Sequence, residues 1–461
     1  GQGLVERNRA ITERLIKGVH VLTDGGDSRR NRLIRFLEFE PDKFERNTFT
    51  AINQYRVDLP GRGSFVIPDV VLLVNGLPLV VIECKSPAIA DPIDDGLDQL
   101  LRYSNNRYWV DEDEGVEDLF EFNQLMVVSD FYEARAGTVG ALHEHYQQWK
   151  DVSPMTPGEV AAELGKSADS LKSQERLVAG MLRPERLLDI IRNFILFKAD
   201  DGKLIKVAPR YQQYRAVNAA LDRLKHGETR LQSDRDQDRR GGIVWHTQGS
   251  GKSITMVYLV RKLRTVPELK SFKVVVVTDR TDLEKQLRET ATLTGENTRP
   301  DDRDRQRNVS SSDLLRGILA EDGPDVVFAM IQKYLDRTEE AEVLEYEVPL
   351  KALKHHGEES VDQPVQTRTL RQTIRDQEFG VVNESDKILI LIDECHRAHT
   401  SVLHSNMMEA LPNAAKIGFT GTPILTKEKA DTQAIFGEFI DKYTLREAVD
   451  DEATVRIVYE G

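Results

Sequence analysis

Cysteine is scarce in this sequence, which limits the ways in which the fold can be held together. The chain has 461 residues and two cysteines, Cys84 and Cys395, each of which follows an apolar run typical of a strand. Two cysteines so far apart argue against a disulfide framework. They favour a reducing compartment, so we expect a cytoplasmic protein.

Long apolar runs are absent too. No stretch reaches the roughly 18 apolar residues that a membrane-spanning helix requires, so the sequence predicts no contact with a membrane. The N-terminal residues GQGLVERNRAITERL contain neither the apolar core of a signal peptide nor an initiating methionine. We therefore expect that the sequence begins inside a longer natural chain.

Positive charge is in deficit, because 63 lysines and arginines face 77 aspartates and glutamates, and the formal net charge is −14. A basic groove can coexist with an acidic exterior, so this balance does not exclude nucleic acid as a partner. Any phosphate binding must then be local or shared with another protein. The length and an apolar content of 39% predict a globular protein of about two or three domains.

The stretch 65–87, FVIPDVVLLVNGLPLVVIECKSP, predicts two apolar strands joined by a tight Asn-Gly turn. Three polar residues interrupt the apolar runs: Asp69, Glu83 and Lys85. Glu83 and Lys85 are two positions apart and share one face of the strand, which Asp69 can reach from the partner strand. Two carboxylates and an ammonium at one sheet edge suit a divalent-metal site that hydrolyses phosphodiesters. A structural alternative is a buried ion pair between Glu83 and Lys85.

Mixed strand and helix signals around this hairpin predict an α/β domain over residues 1–150. In the helix that follows the hairpin, Gln99 and Tyr103 are four positions apart and share one face. Residues 151–202 are predicted to be a helical connector. From residue 203 to 435, apolar β-branched runs alternate with helices, the pattern of a parallel sheet covered on both faces.

A glycine-rich loop, GSGKS, stands between the strand GIVW and a helix. In this context backbone N–H groups cradle phosphates at a helix N-terminus, so the sequence predicts an ATP site. Lys252 is expected to neutralise the β- and γ-phosphates and Ser253 to hold Mg²⁺. The general pattern has a glycine where this chain has His246. The loop residues are Gly249, Ser250, Gly251, Lys252 and Ser253.

A second motif, DECH, follows the strand KILILI. We expect Asp393 to hold Mg²⁺ through water and Glu394 to orient and deprotonate the attacking water. The loop FTGTP follows the next strand, and its Thr420 and Thr422 are placed to relay the phosphate state to a nucleic acid strand.

The helix before the GIVW strand carries candidates for recognition of the adenine base. Gln213 is the candidate reader of the base, and Arg210 and Tyr211 are candidates to stack on it. Gln212 is an equal alternative to Gln213, because the sequence alone does not separate them. Residues 336–386 are predicted to be an insertion with helical pieces.

Together the motifs resemble two known families. GSGKS, TDRTDL at 278–283, DECH and FTGTP resemble motifs I, Ia, II and III of superfamily 2 helicase-like translocases, whose motor domains are RecA-like. The N-terminal residues resemble the active site of PD-(D/E)xK nucleases of the RecB-like kind, at these positions: Pro68, Asp69, Glu83, Cys84, Lys85, Gln99 and Tyr103. The two sets in this order resemble the restriction (R) subunit of type I restriction enzymes.

The resemblance implies a role for each nuclease residue. Asp69 and Glu83 are expected to bind one or two Mg²⁺ ions, with the main-chain carbonyl of Cys84 as a further ligand and its side chain in the core. Lys85 is expected to position or activate the water nucleophile. The QxxxY pair contacts DNA or positions Lys85, although its tyrosine has helix packing as an equal alternative. An upstream acidic residue or glutamine is left open among Glu6, Glu38 and Glu45.

The resemblance also implies an activity and partners. It predicts site-specific type I DNA cleavage coupled to ATP-driven translocation on double-stranded DNA, with methyltransferase (M) and specificity (S) subunits, in a bacterial or archaeal cell. Residues 436–461 are expected to begin a second RecA-like domain, so we expect an N-terminal fragment. The alternatives are a stand-alone DNA repair helicase-nuclease and an assembly module that binds nucleotide and DNA without catalysis.

Overall fold

The computed structural model divides the chain into two compact units, Gly1–Arg215 and Ala216–Gly461. Each unit has its own six-stranded sheet and its own apolar core. No helix among the described residues is long and apolar enough to cross a membrane. The structure describes residues 3–25, 28–59, 61, 63–107, 110, 114–200, 202–233, 238–278, 317, 319–330, 332–333, 342–349, 367–373, 380–395, 409–422, 432–433 and 435–454.

The first unit is α/β, as the sequence predicts. Its strands are β1 (Val19–Gly25), β2 (Ser28–Ile34), β3 (Phe49–Asn53), β4 (Val57–Asp58), β5 (Phe65–Val66), β6 (Val70–Val74), β7 (Leu77–Cys84), β8 (Leu125–Ser129), β9 (Ala134–Gly137), β10 (Gln147–Gln148), β11 (Leu196–Asp200) and β12 (Lys203–Val207). Its helices are α1 (Leu4–Lys17), α2 (Pro92–Tyr103), α3 (Glu117–Glu121), α4 (Pro157–Glu163), α5 (Ser173–Leu177) and α6 (Pro184–Asp189). Short 3-10 helices lie at Pro41–Arg46, His143–His145 and Ala168–Ser170, and π-helical turns at Val178–Leu182 and Ile190–Phe194.

The main sheet of this unit has the order β10-β9-β8-β7-β6-β3. The pair β6–β7 is antiparallel and closes through the predicted turn, where Asn75 and Gly76 have φ of 53° and 81°. A two-residue turn with both φ values positive matches the twist of the strands it joins. The pair β7–β8 is parallel and therefore needs a crossover, which α2 supplies. The turn predicted from Asn-Gly and the helix predicted after the hairpin are therefore both present in this part of the fold.

The segment predicted to be a helical connector, residues 151–202, is helical as far as Phe194 and then becomes a strand. β11 pairs with β12 in an antiparallel hairpin, so the boundary predicted between residues 202 and 203 falls at the turn of that hairpin. The prediction of helix at residues 196–200 is wrong, because these residues pair with β12 across a turn that includes Gly202, whose φ is 76°. Lys206 of β12 is buried and donates to Asn8 Oδ1 at 2.8 Å, which fixes the hairpin to α1.

The second unit contains the predicted parallel sheet, in the order β15-β14-β19-β20-β13-β21. Its strands are β13 (Gly242–His246), β14 (Lys273–Thr278), β15 (Val326–Met330), β16 (Gln332–Lys333), β17 (Glu342–Pro349), β18 (Thr367–Thr373), β19 (Ile388–Ile392), β20 (Ala415–Thr420) and β21 (Phe439–Tyr443). Its helices are α8 (Lys252–Thr265) and α9 (Leu445–Asp450), and α7 (Tyr211–His226) runs through the boundary between the units. Strands β14, β19 and β20 are buried runs of apolar residues, as expected for a sheet covered on both faces.

Two segments of the second unit differ from the sequence prediction. Within 336–386, predicted to contain helical pieces, the described strands β17 and β18 pair antiparallel with each other. Residues 439–443, predicted to lie in a second RecA-like domain, form the edge strand β21 beside β13. The hydrogen-bonded register of β21 places these residues in the same sheet as the GIVW strand. Residues 279–283 of the TDRTDL motif, together with His396 and Pro423, lie outside the described residues.

Candidate functional site

The structure brings Asp69, Glu83 and Lys85 together at one edge of the first sheet. Glu83 is buried, and its Oε1 lies 3.1 Å from the Lys85 ammonium. Asp69 stands just before β6, and its Oδ2 accepts a hydrogen bond of 2.8 Å from the backbone N–H of Cys84. The same-face placement of Glu83 and Lys85 and the reach of Asp69 across the hairpin are therefore confirmed. Cys84 itself is exposed, so its expected core position is wrong: β7 has left the core at this residue.

Helix α2 extends this cluster. The Lys85 ammonium donates to Gln99 Oε1, Gln99 Nε2 donates to the Tyr103 hydroxyl at 2.6 Å, and that hydroxyl donates to the carbonyl of Ile67 at 3.2 Å. Gly96 allows the helix to approach the sheet, because a Cβ there would collide with Val128 Cγ2 and lie 3.3 Å from Lys85 Cγ. Tyr103 is also buried in the core, so helix packing and contact with the cluster occur in the same side chain.

The electrostatics at Glu83 favour a bound cation. Burial and the nearby Asp69 together raise the pKa of Glu83 to about 7, although Lys85 opposes the change. Among the described residues, Glu83 Oε2 has no hydrogen-bond partner although it is buried. The ion pair with Lys85, the structural alternative, is thus present but leaves one carboxylate oxygen unsatisfied. A divalent cation would satisfy that oxygen and lower the cost of holding two carboxylates together.

The donor set for such a cation is small. Within the described ranges, no group of three or more His, Cys, Asp and Glu side chains is placed to hold a metal. Asp69 and Glu83 would therefore be joined by the main-chain carbonyl of Cys84. Glu6, Glu38 and Glu45, the upstream alternatives, do not complete a three-residue group there.

Gln54 is a site residue that the sequence analysis missed. Its side-chain amide donates to Asp69 Oδ1 at 2.8 Å, and its backbone N–H donates to the Asp69 carbonyl at 2.8 Å. Its φ of 51° is uncommon for a residue other than glycine, and such outliers occur often at functional sites. The sequence offers no signal for Gln54, because it lies outside the hairpin and only the pairing of β3 with β6 brings it to Asp69.

The GSGKS loop joins β13 to α8 in the predicted strand–loop–helix order. Gly249 and Gly251 both have φ of 83°, in the left-handed region that glycine adopts without strain. Ser250 is buried, and its hydroxyl donates to the Thr247 carbonyl at 2.6 Å, so it closes the loop. Lys252 and Ser253 begin α8, where the first backbone N–H groups of the helix are available to phosphate oxygens.

The three motif loops of the second unit converge on Lys252. Its ammonium lies 4.0 Å from Glu394 Oε1, and a Cβ at Gly421 would collide with it. The backbone N–H of Asp393 donates to the Val277 carbonyl at 3.0 Å. The next residue, Glu394, has a φ of 47°, in the left-handed region. Thr420 is buried at the end of β20, and its hydroxyl accepts the N–H of Thr422 at 3.3 Å.

His246 explains the departure from the usual glycine at its position. It is buried, and its Nε2 lies 2.7 Å from Asp441 Oδ2 on β21. The backbone N–H of Thr247 donates to the carbonyl of Tyr443 at 3.0 Å. These two contacts hold the start of the GSGKS loop to β21, the edge strand next to β13.

The positions of the candidates for adenine recognition do not test their role. Gln213 is buried, and its Oε1 accepts the backbone N–H of Arg210 at 2.9 Å. Gln212 is also buried, and its amide atoms have no hydrogen-bond partner among the described residues. Arg210, Tyr211 and both glutamines belong to the first unit and the phosphate loop to the second, so their role stays a prediction.

Comparisons with known proteins match both halves of the chain. Residues 2–145 match the family model of the type I restriction enzyme R protein N terminus, and residues 212–461 match that of the SWI2/SNF2 ATPase. Among curated relatives, the type I restriction enzyme HindI endonuclease subunit of Haemophilus influenzae is 35% identical over 99% of this chain and 39% of its own length. The putative MjaIXP endonuclease subunit of Methanocaldococcus jannaschii is 27% identical over 99% of this chain and 38% of its own. The chain therefore spans about two fifths of the length of these relatives.

Proposed function

Because the chain belongs to the R-subunit family of type I restriction enzymes, we propose that it cleaves DNA and uses ATP as the motor and nuclease subunit of such an enzyme. The observation that carries the cleavage proposal is the cluster of Asp69, Glu83 and Lys85 at one sheet edge, with a buried carboxylate oxygen left unsatisfied. The first unit is then a PD-(D/E)xK nuclease. The boundary at residue 150 remains part of this proposal, whereas those at 202 and 435 do not, because β11 pairs with β12 and β21 pairs with β13.

In the nuclease site the residues fit a magnesium ion. Asp69, Glu83 and the carbonyl of Cys84 would hold it, and when bound it would supply Lewis acidity and a more acidic water. Lys85 is held between Glu83 and Gln99, so its charge is fixed next to the site where negative charge develops on the phosphate. Gln99 and Tyr103 position Lys85 through the hydrogen bonds that end at the Ile67 carbonyl.

In the motor site the chain's residues fit a nucleoside triphosphate. Backbone N–H groups of the GSGKS loop would bind phosphate oxygens, and Lys252 would neutralise their charge. Ser253 and Asp393 would hold the accompanying magnesium ion, and Glu394 would orient the attacking water and accept its proton. Arg210 and Gln213 are the proposed contacts to the base. Hydrolysis is proposed to drive translocation along double-stranded DNA.

The choice of DNA site is assigned to partner subunits. The sequence has no recognisable base-reading motif, so we propose that M and S subunits select the site and that this chain contacts mainly phosphates. Such contacts make DNA binding dependent on salt. The complex is proposed to work in the cytoplasm of a bacterial or archaeal cell.

The experiment uses the full-length R subunit assembled with its M and S subunits, in Mg²⁺. Asp69→Ala and Lys85→Ala should reduce DNA cleavage at least about 100-fold while ATP hydrolysis continues, because the motor residues are untouched. Lys252→Ala should abolish ATP hydrolysis, and Lys203→Ala, an exposed lysine of the first unit, is the control. Cleavage retained by Lys85→Ala would contradict the nuclease assignment. Cleavage without M and S subunits would favour a stand-alone helicase-nuclease.

A further inference from the structure

We propose that the turn between β8 and β9, with Phe131 and Tyr132 at its tip, is a stacking surface for DNA bases next to the phosphate that is cut. The inference rests on the proposed function, because it requires the nuclease site at Asp69, Glu83 and Lys85. It adds a contact to the bases that neither the motifs nor the family comparisons assign.

The position of the turn is set by the sheet. β7 and β8 are parallel, so Lys85 and the residues after Ser129 leave the sheet at the same edge. The backbone N–H of Lys85 donates to the Ser129 carbonyl at 2.8 Å. Phe131 is two residues from Ser129, a span of at most about 7 Å. A phosphate held at Lys85 would therefore have its neighbouring nucleotides within reach of this turn.

The two rings are exposed although both are large and apolar. Phe131 has 42% and Tyr132 has 59% of its surface exposed. Their ring centroids lie 5.4 Å apart with an angle of 74° between the planes. In this edge-to-face arrangement the edge of one ring meets the face of the other, and both rings keep exposed surface for contact with a further planar group.

The turn does not need either ring for its own stability. Its backbone is held by Ser129 and Asp130: Ser129 Oγ accepts the N–H of Phe131 at 3.0 Å, and Asp130 Oδ1 accepts the N–H of Glu133 at 2.7 Å. Phe131 has φ of 81°, a conformation that suits glycine and is rare for a bulky residue. A phenylalanine is thus present where glycine would serve the fold better, which points to a use for the ring outside the fold.

The chemistry around the rings fits a nucleic acid strand. The Lys172 ammonium lies 5.4 Å from the centre of the Tyr132 ring, so a cation flanks the aromatic surface. Aromatic side chains beside a positive charge bind single-stranded segments, because every base offers a flat face and every phosphate a negative charge. The occupant is therefore a DNA strand whose bases are unstacked near the cut, rather than an intact duplex.

The test uses the assembled enzyme and a DNA strand that carries 5-iodouracil, a base that cross-links to an adjacent aromatic ring in light. Ca²⁺ replaces Mg²⁺ during cross-linking to prevent cutting. Mass spectrometry should locate the cross-link on the peptide that contains Phe131 and Tyr132. Phe131→Gly combined with Tyr132→Ala should remove that cross-link and lower the rate of cleavage in Mg²⁺ about tenfold, as expected for one lost stacking contact. ATP hydrolysis should be unchanged.

Two controls separate this role from folding and from other partners. Phe131→Gly suits the backbone, so its melting temperature should equal or exceed that of the unmodified protein. Leu164→Ala, a similarly exposed residue at the end of α4, should leave the cross-link and cleavage intact. Unchanged cleavage and cross-linking in the double variant would overturn the proposal. It would also be overturned if the double variant no longer assembled with M and S subunits but still contacted DNA as before. Failure of the nuclease assignment itself would be visible separately, as cleavage that survives Asp69→Ala.

Discussion

At the residue scale, Glu83 is the carboxylate of the candidate site whose protonation is altered by its surroundings. Burial and Asp69 raise its pKa from 4.5 to about 7, so the folded protein binds this proton more tightly than the unfolded chain. Between these pH values the folded state carries more protons, and its free energy of unfolding falls as the pH rises. Above about pH 7 this loss in the free energy of unfolding is complete, so a bound cation would restore the most stability there.

Replacement of this carboxylate should therefore change how stability depends on pH. We expect Glu83→Gln to melt at about the same temperature as the unmodified protein near pH 4.5 and at a higher temperature near pH 8. Mg²⁺ should raise the melting temperature of the unmodified protein at pH 8 but not that of the variant, because binding to the folded state alone stabilises it. Thermal unfolding followed by circular dichroism at several pH values measures both effects. Glu133→Gln is the control. If the melting temperatures of Glu83→Gln and the unmodified protein depended on pH in the same way, the raised pKa of Glu83 would be contradicted.

Gln54 should act on the same site through Asp69. Gln54→Gly tolerates the φ of 51° but removes the amide that donates to Asp69 Oδ1. Loss of a group that orients a metal ligand typically costs about 10- to 100-fold in metal affinity. We expect the Mg²⁺ concentration for half-maximal cleavage to rise about tenfold, with a smaller change in the maximal rate. Asn53→Gly is the neighbouring control, and an unchanged Mg²⁺ requirement for Gln54→Gly would reject this role.

At the element scale, the local signals in the sequence predicted most of the architecture. The Asn-Gly turn predicted the β6–β7 hairpin, and the alternation of apolar runs with helices predicted the parallel sheet of the second unit. What failed depended on strand pairing, which the pattern within a single segment does not reveal. The helix predicted at residues 196–200 is a strand because it pairs with β12, and β21 completes the sheet because it pairs with β13.

The site followed the same division. Glu83 and Lys85 were predictable because they stand two positions apart where one strand ends, and Gln99 and Tyr103 because they share one helix face. Gln54 was not, since only the register of β3 against β6 brings it to Asp69. The exposure of Cys84 was also missed, because an apolar run does not reveal where a strand leaves the core.

The meeting of loops at Lys252 gives a prediction at this scale. A Cβ at Gly421 would collide with the Lys252 ammonium and lie 3.1 Å from the backbone nitrogen of Gln248. The flexible lysine end can move more easily than the backbone, so Gly421→Ala should fold normally and displace the ammonium from its position. Isothermal titration calorimetry should show ATP affinity reduced about tenfold, the value of one charged contact of about 1.4 kcal/mol.

The matched control is Gly158→Ala in α4, where an added Cβ has no atom outside its helix closer than 3.8 Å. That variant should bind ATP like the unmodified protein. If Gly421→Ala also binds ATP with unchanged affinity, then the loop after β20 does not constrain the phosphate-binding lysine, and the convergence of the three loops has no functional consequence.

At the scale of the whole molecule, the two candidate sites lie in separate units, each with its own sheet and core. The carboxylates of the candidate nuclease site are in the first unit and the GSGKS loop is in the second. Each site can therefore be inactivated by its own substitutions without direct damage to the other. A net charge of −14 over the chain makes local cationic groups such as Lys85 and Lys252 more important for phosphate binding.

The most direct measurement is a crystal structure of this chain with Mn²⁺ and a non-hydrolysable ATP analogue, with anomalous data that locate manganese. We expect one manganese peak bonded to Asp69 and Glu83 and another beside Ser253 at the phosphates of the analogue. The second peak serves as the control for manganese occupancy. A peak at the phosphate loop alone, with Glu83 still paired to Lys85 and no ion between Glu83 and Asp69, would contradict the central claim that this sheet edge is a metal-dependent nuclease site.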